Sequence, residues 1–411
     1  MRDADAVSFG TQPDDSDRLQ HLDRLRTALV AWVIACHALL GYSAVGGWPY
    51  DEVNEVTFAP GTELLLMIIV GPSGLVIIGL FFFIAGLLTE RSYRRHGWLR
   101  YIGGRVQRLG LPWLVSALAL WPVAVWIAYR GAGRHVSLWW IFRHRDPFLD
   151  SGALWFALVL MIFSAVFATG TSLERIAARF GSSRSGARRR GPGPLTVTRL
   201  GGVVGAISLA SFVVRIGVPV HSGQVGDLHI WWWPQCLGMF LLGIAAARRG
   251  WDTHLPPRVR RGCGVAALVT LAVAPVLAVA SGLRDDLHGV GPFLGGWHWQ
   301  SLVAGTIEAT LLVTSSIWLV GAAERHLAGT GRRVSVWTGA AFAAFVIQGP
   351  VLMVLSTVAR LLQVPAEVKA PLVAVAAIVL SFWLGGLIAA FFRSRAKVGS
   401  GDGRPATALG S

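Results

Sequence analysis

The sequence predicts an all-α, polytopic transmembrane helical bundle of about ten helices, with both termini on the inner side. Three observations lead there. Charged residues make up only 14% of the 411 positions while hydrophobic residues make up 54%; soluble domains carry about 25% charged residues. Apolar stretches long enough to cross a bilayer recur along the whole chain, with a mean hydropathy of +0.56. The basic residues between those stretches fall unevenly, 29 in the segments assigned inside against 8 outside, as the positive-inside rule requires. The same composition excludes a disordered chain, which is polar and charge-rich.

Residues 1–20 are polar and Asp-rich and read as a disordered cytoplasmic tail with no signal peptide. The first apolar run, 27–45, is expected to stay as the first crossing. The second, 62–88, is interrupted by Gly71-Pro72-Ser73-Gly74. Such breakers are tolerated at depth only where protein or a water-filled cavity satisfies the backbone. A basic segment, 89–108, leads to the third stretch, 109–129. The fourth and fifth, 153–169 and 196–218, flank a basic, Gly- and Ser-rich loop at 181–194 that reads as flexible. The sixth, 230–247, opens with Trp231-Trp232-Trp233, which read with most of the 18 tryptophans as interfacial belts. Stretches 263–281, 300–322, 334–360 and 370–392 complete the set; 62–88 and 334–360 are long enough to tilt or break. Residues 21–392 then form one membrane domain without an internal repeat, and 393–411 a disordered cytoplasmic tail. Ten crossings place both termini on one side.

The net charge is +15, almost all of it arginine, since Lys369 and Lys397 are the only lysines. A basic balance of this kind suggests nucleic acid in a soluble protein. In a membrane protein it is accounted for by inner loops that meet anionic lipid, so the expected partner is the bilayer and no nucleic acid. Cys36, Cys236 and Cys263 lie in or beside apolar stretches without disulfide or metal spacing. His221, Asp227 and His229 match no metal site. They read as a solvated outer loop, as do His288 and His298. No metal is expected, and the oligomeric state is not legible.

Two stretches point to chemistry. Asp23, Arg26 and His37 share one face of the first helix: Arg26 and His37 are eleven residues apart, within about 20° of the same direction and roughly 16 Å along the axis. His37 then lies near the middle of a ~30 Å hydrocarbon core. An ionisable group at that depth is a functional candidate, and imidazole takes and returns protons near neutrality; the alternative is a histidine bonded to a neighbouring helix. The second stretch is Phe81-Phe82-Phe83 with Ala85-Gly86, followed by Arg105 and Arg108 before Leu109. The two arginines at i,i+3 either clamp phosphates from the cytoplasm or serve as plain inner flanking charges, as Arg91, Arg94 and Arg95 do. Glu308, inside the eighth crossing, is either paired with a partner or lines a polar cavity.

These features together resemble the acyltransferase 3 family of bacterial integral-membrane acyltransferases. The likeness rests on Leu22-Asp23-Arg24-Leu25-Arg26 with His37, on the aromatic run ending at Gly86, and on Arg105 and Arg108 before Leu109. It continues through Leu154-Trp155-Phe156, and through Phe240 and Gly243 with Arg248 and Arg249, spanning about residues 19–392. There are two departures: Ala85 replaces a common Ser, and Phe345-Val346-Ile347-Gln348-Gly349-Pro350 carries Gln348 where many members have a late His. Gln348 cannot act as acid or base but its amide can orient a hydroxyl. The resemblance implies acyl transfer from cytoplasmic acyl-CoA, an acetyl or succinyl donor and not a tightly bound cofactor, to a hydroxyl of a glycan or secondary metabolite at the cell membrane. His37 would be the general base, organised by Asp23 and Arg26; Arg105 and Arg108 would hold CoA phosphates; Trp155, Glu308 and Gln348 would line the substrate cavity. A proton-coupled transporter or exporter using His37 and Glu308 is the competing expectation. A membrane scaffold, the third, leaves His37 unexplained.

Overall fold

The computed structural model describes residues 15–44, 48–180, 194–222, 226, 228–251, 255–280, 290–327 and 332–400. Among the described residues there is no strand. The helices are α1 (Asp15–Leu40), α2 (Pro60–Arg105), α3 (Leu111–Val115), α4 (Trp121–Gly131), α5 (Leu138–His144), α6 (Trp155–Phe180) and α7 (Val197–Gly217). They continue with α8 (Trp233–Arg249), α9 (Pro257–Ala280), α10 (Gly291–Leu294), α11 (Trp299–His326), α12 (Arg332–Ala359) and α13 (Ala366–Ser400). Eight helical segments among the described residues are long and apolar enough to cross a membrane. One of them, Pro60–Gly131, spans 72 residues and contains both the second and third expected stretches. The first expected stretch lies on α1, which is not one of the eight. The expected loop at 181–194 falls outside the described residues except for Pro194, as do Asp227, His288 and most of the two tails. α1 begins at Asp15 and α13 reaches Ser400, each running into a segment expected to be a tail.

α1 is the hub. Its buried stripe of Leu22, Leu25, Leu29, Val30 and Ile34 packs into a single core shared with α2, α11, α12 and α13. Arg24, one position off that stripe, donates to the Leu327 carbonyl at 2.7 Å and so caps the C-terminal end of α11.

α2 corrects an expectation. The backbone stays helical through Gly71-Pro72-Ser73-Gly74. Ser73 Oγ donates to the Val70 carbonyl at 2.9 Å and accepts from Trp32 Nε1 at 3.0 Å, so Ser73 ties this turn both to its own helix and to α1. The real break is at Gly97, where φ is 71° and ψ 179°; that left-handed φ suits glycine alone. Past it the chain swings into the basic segment and then enters α3 and α4 through two π-helical turns, Val106–Gly110 and Ser116–Leu120. α2 also lies directly on the backbone of α8. A methyl on Gly86 would stand 2.2 Å from the Phe240 carbonyl oxygen, and one on Gly243 2.1 Å from that of Phe83. The two glycines of the recognised motifs therefore face each other and let the helices touch.

The loop between α1 and α2 folds back onto the bundle. Glu55 receives hydrogen bonds from Lys369, from Arg360 at 3.2 Å and from the Tyr50 hydroxyl at 2.9 Å, while Arg360 also holds the Val53 carbonyl at 2.6 Å. Burial alone raises the Glu55 carboxyl, but the hydrogen bonds from Lys369, from the backbone and from Tyr50 outweigh it and hold the group below the ordinary carboxylate range. This anchoring presses Trp48 down onto the end of α1.

Candidate functional site

Two chambers lie along α1 and α2. The first, about 1040 Å³, is walled by Asp23, Arg26, Arg91, Arg95, Arg100, Arg105 and Arg108. Six guanidiniums against one carboxylate make it a polyanion site. Its size is at the top of the ~300–1,000 Å³ range of small-molecule sites. Asp23 bonds Arg26 at 3.4 Å. Arg105 is held by its own helix: Nη2 donates to Thr89 Oγ1 at 3.0 Å and Nε to the Tyr101 hydroxyl at 3.2 Å, with the Tyr101 hydroxyl donating to Thr89 at 3.2 Å. Arg108 sits one π-turn further on.

The flanking reading of the other arginines needs correction. Arg91 and Arg95 line the chamber, because α2 runs past it before breaking at Gly97. Arg94 of that trio lies 2.8 Å from Glu90, which Arg248 also binds at 3.0 Å.

The second chamber, about 470 Å³, contains His37, Ser43, Glu63, Trp155, Trp232 and His221 in its wall. His37 Nδ1 lies 3.0 Å from Gln348 Oε1, and its ring stacks on Trp48 at 4.0 Å and 13°. A carbonyl oxygen only accepts, so Nδ1 carries the proton and the lone pair is on Nε2. Gln348 is 1% exposed. The residue that breaks the family pattern is thus the direct partner of the candidate base.

Phe81, Phe156 and Phe345 belong to the walls of both chambers. Their rings pack at 6.0 Å (Phe81–Phe156, stacked) and 5.2 Å (Phe156–Phe345, edge-on). Phe345 precedes Gln348 by three residues, about 4.5 Å along α12. The aromatic partition therefore stands one helical turn from the His37–Gln348 pair.

Glu308, offered as a lining residue, is in neither chamber's wall. Its carboxylate is 2.6 Å from Arg215 Nη2 and accepts from Gln235 Nε2 at 3.0 Å, the paired alternative for an intramembrane acid. Trp155 does line the His37 chamber and stacks on His229 at 4.5 Å. Trp231 is 3% exposed and Trp232 faces the chamber, so this run packs inward and is not a belt. Sequence reasoning passed over Glu63 and Trp48, and it read His221 as part of a solvated outer loop, whereas His221 lines the chamber. Only an intramembrane carboxylate at the start of α2 was a signal that could have been followed.

A model of the acyltransferase 3 family, described as an acyltransferase domain, matches residues 19–390, nearly the whole chain. No curated protein and no solved structure matches the chain. With helices built to cross a bilayer, a basic chamber on one side of an aromatic partition and a half-buried histidine on the other, this chain belongs to the acyltransferase 3 family and is a membrane acyltransferase.

Proposed function

We propose that the protein transfers a short acyl group, acetyl or succinyl, from cytoplasmic acyl-CoA to a hydroxyl of a glycan or secondary metabolite at the cell membrane. One observation carries this reading: a chamber rich in arginine and a chamber containing a histidine share a single wall of three phenylalanines. The 29-to-8 bias of basic residues supports a cytoplasmic side for the arginine chamber, where a polyanionic donor that cannot cross the bilayer is available. Arg105 and Arg108, with Arg26, Arg91, Arg95 and Arg100, hold its phosphates. The acyl-bearing arm passes between Phe81, Phe156 and Phe345 and brings the thioester to His37.

In the transfer, His37 Nε2 takes the proton of the acceptor hydroxyl as its oxygen attacks the thioester carbonyl. The C–O ester bond forms, the C–S bond breaks, and the imidazolium returns its proton to the departing thiolate. Gln348 holds the ring in the required tautomer throughout, in the way that a third group orients the base of a nucleophile–base pair. Asp23 fixes Arg26 at the entrance and does not reach the reacting atoms.

The test uses purified full-length protein in detergent with radiolabelled acetyl-CoA and succinyl-CoA. Binding and slow hydrolysis without acceptor are expected. Arg105→Ala with Arg108→Ala should weaken binding by tenfold or more, since each charge-assisted hydrogen bond is worth about 1.5–3 kcal/mol. Arg258→Ala, an exposed arginine of α9 outside the chamber, is the control. Unchanged affinity in the double variant removes the clamp assignment. Protein that neither binds nor hydrolyses acyl-CoA, yet moves protons across vesicles, is a transporter.

A further inference from the structure

The His37 chamber contains one acid that the transfer chemistry does not use. Glu63, in the first turn of α2, is 9% exposed and lines the chamber. Its Oε1 accepts a hydrogen bond from Ser43 Oγ, whereas Oε2 is buried with no hydrogen-bond partner among the described residues. A buried carboxylate oxygen left in that condition is unfavourable until a donor reaches it. Among the described residues no arginine or lysine lines this chamber, in contrast to the six arginines beyond the partition.

We infer that Glu63 Oε2 is the acceptor-binding group, taking a hydrogen bond from a hydroxyl or ammonium of the molecule to be acylated. The inference rests on the acyltransferase reading for what happens next, but not for what binds. Ser43, which holds Glu63, is six residues beyond His37 and lies past the end of α1 at Leu40. The chamber of about 470 Å³ has room for more than one sugar ring, so Glu63 engages a group remote from the hydroxyl being acylated. The indoles of Trp155 and Trp232, 6.3 Å apart, supply apolar faces of the kind that seat a polyol between a few fixed polar groups. The ligand class is a disaccharide-sized neutral or amino-bearing glycoside. Acceptors with a carboxylate or phosphate at the Glu63 end are rejected by like charge.

Cys36 lines the same chamber and Cys236 is fully buried elsewhere, which gives a binding assay independent of turnover. Full-length protein in detergent is alkylated with N-ethylmaleimide, and each cysteine is followed by peptide mass spectrometry. The probes are a β-linked glucosamine disaccharide, cellobiose and digalacturonate. The glucosamine disaccharide is expected to protect Cys36 at concentrations at least about tenfold lower than digalacturonate, the gain of one charge-assisted hydrogen bond, with cellobiose between. Glu63→Gln should abolish that ranking and Glu63→Asp should keep it.

Equal protection by all three probes, protection by none, or an unchanged ranking in Glu63→Gln overturns the inference. Alkylation of Cys236 in Glu63→Gln marks a misfolded variant, in which case the ranking in the parent protein and in Ser43→Ala, where the carboxylate is intact, decides. Ranked protection without any acyl-CoA turnover leaves Glu63 as a binding group and refutes the proposed transfer from acyl-CoA; turnover without ranked protection does the reverse.

Discussion

Replacing Gln348 by leucine isolates one hydrogen bond in the transfer machinery. The amide oxygen is 3.0 Å from His37 Nδ1, the amide is 1% exposed, and its nitrogen has no other partner among the described residues. Leucine fills a similar volume, so packing at this position changes little. What is lost is the acceptor for a part-buried N–H, a cost of about 1–3 kcal/mol, or roughly 5- to 150-fold in rate if it falls on the transition state, where the imidazole becomes charged. The stack on Trp48 keeps the ring plane but permits the ring to turn over, which puts the proton on the wrong nitrogen. Gln348→Leu should therefore lower kcat by about ten- to a hundredfold and leave KM for acyl-CoA unchanged. Gln348→Glu restores an acceptor at the same place and should recover part of the loss. The assay is ester formation from saturating acyl-CoA, scored by mass spectrometry, with donor affinity measured separately. Full turnover by Gln348→Leu, or a parallel rise in KM, would refute the claim that this amide orients the base.

The remaining predictions follow from the same geometry. His37→Gln keeps a polar side chain but cannot accept the proton, so ester formation should fall by roughly 10²–10⁴-fold while acyl-CoA still binds beyond the partition; normal ester formation would end the base assignment. Phe156→Ala opens the partition shared by the two chambers and should shift donor preference from acetyl-CoA towards butyryl- and hexanoyl-CoA, read as a ratio of kcat/KM values; an unchanged ratio would place the acyl-length limit elsewhere. Because the Glu55 carboxyl is held below its usual range, the stability that it contributes is complete above about pH 4.3, the ordinary value for a glutamate, and is lost as pH falls through its lowered folded value. Glu55→Gln should lower the thermal midpoint at neutral pH and flatten that acid limb, measured by unfolding scans across pH in detergent.

Apolar stretches and charge bias were legible in the sequence because hydropathy and the positive-inside rule act locally. The Arg26–His37 stripe was legible for the same reason: its eleven-residue spacing lies within one helix. What joins separate helices was not. Gln348 is 311 positions from His37, and a departure from a family motif gave no sign that it would be the histidine's partner. Glu63 and Ser43 look unremarkable until α1 and α2 are set side by side. Arg95 reads as a flanking charge until Gly97 turns the chain. The three phenylalanines of the partition come from α2, α6 and α12; each stands in a motif quoted from the sequence, but nothing there says that the three meet. Glu308 shows the opposite case: an intramembrane acid was conspicuous in the sequence, and Arg215 and Gln235 absorb it.

The glycine contact between α2 and α8 has a mechanical consequence. α2 passes Glu63 at one end, Phe81 midway and Arg95 beyond, at axial intervals of roughly 27 Å and 21 Å. With its back seated against α8 at Gly86 and Gly243, this helix behaves as a graduated rule. On the proposed reading, the marks on it set how far the acyl group stands from the phosphates that carry it. Donors with a shorter arm would stall before Phe81. Any widening of the passage falls to Phe156 and Phe345 on α6 and α12, since the scale itself has no room to slide.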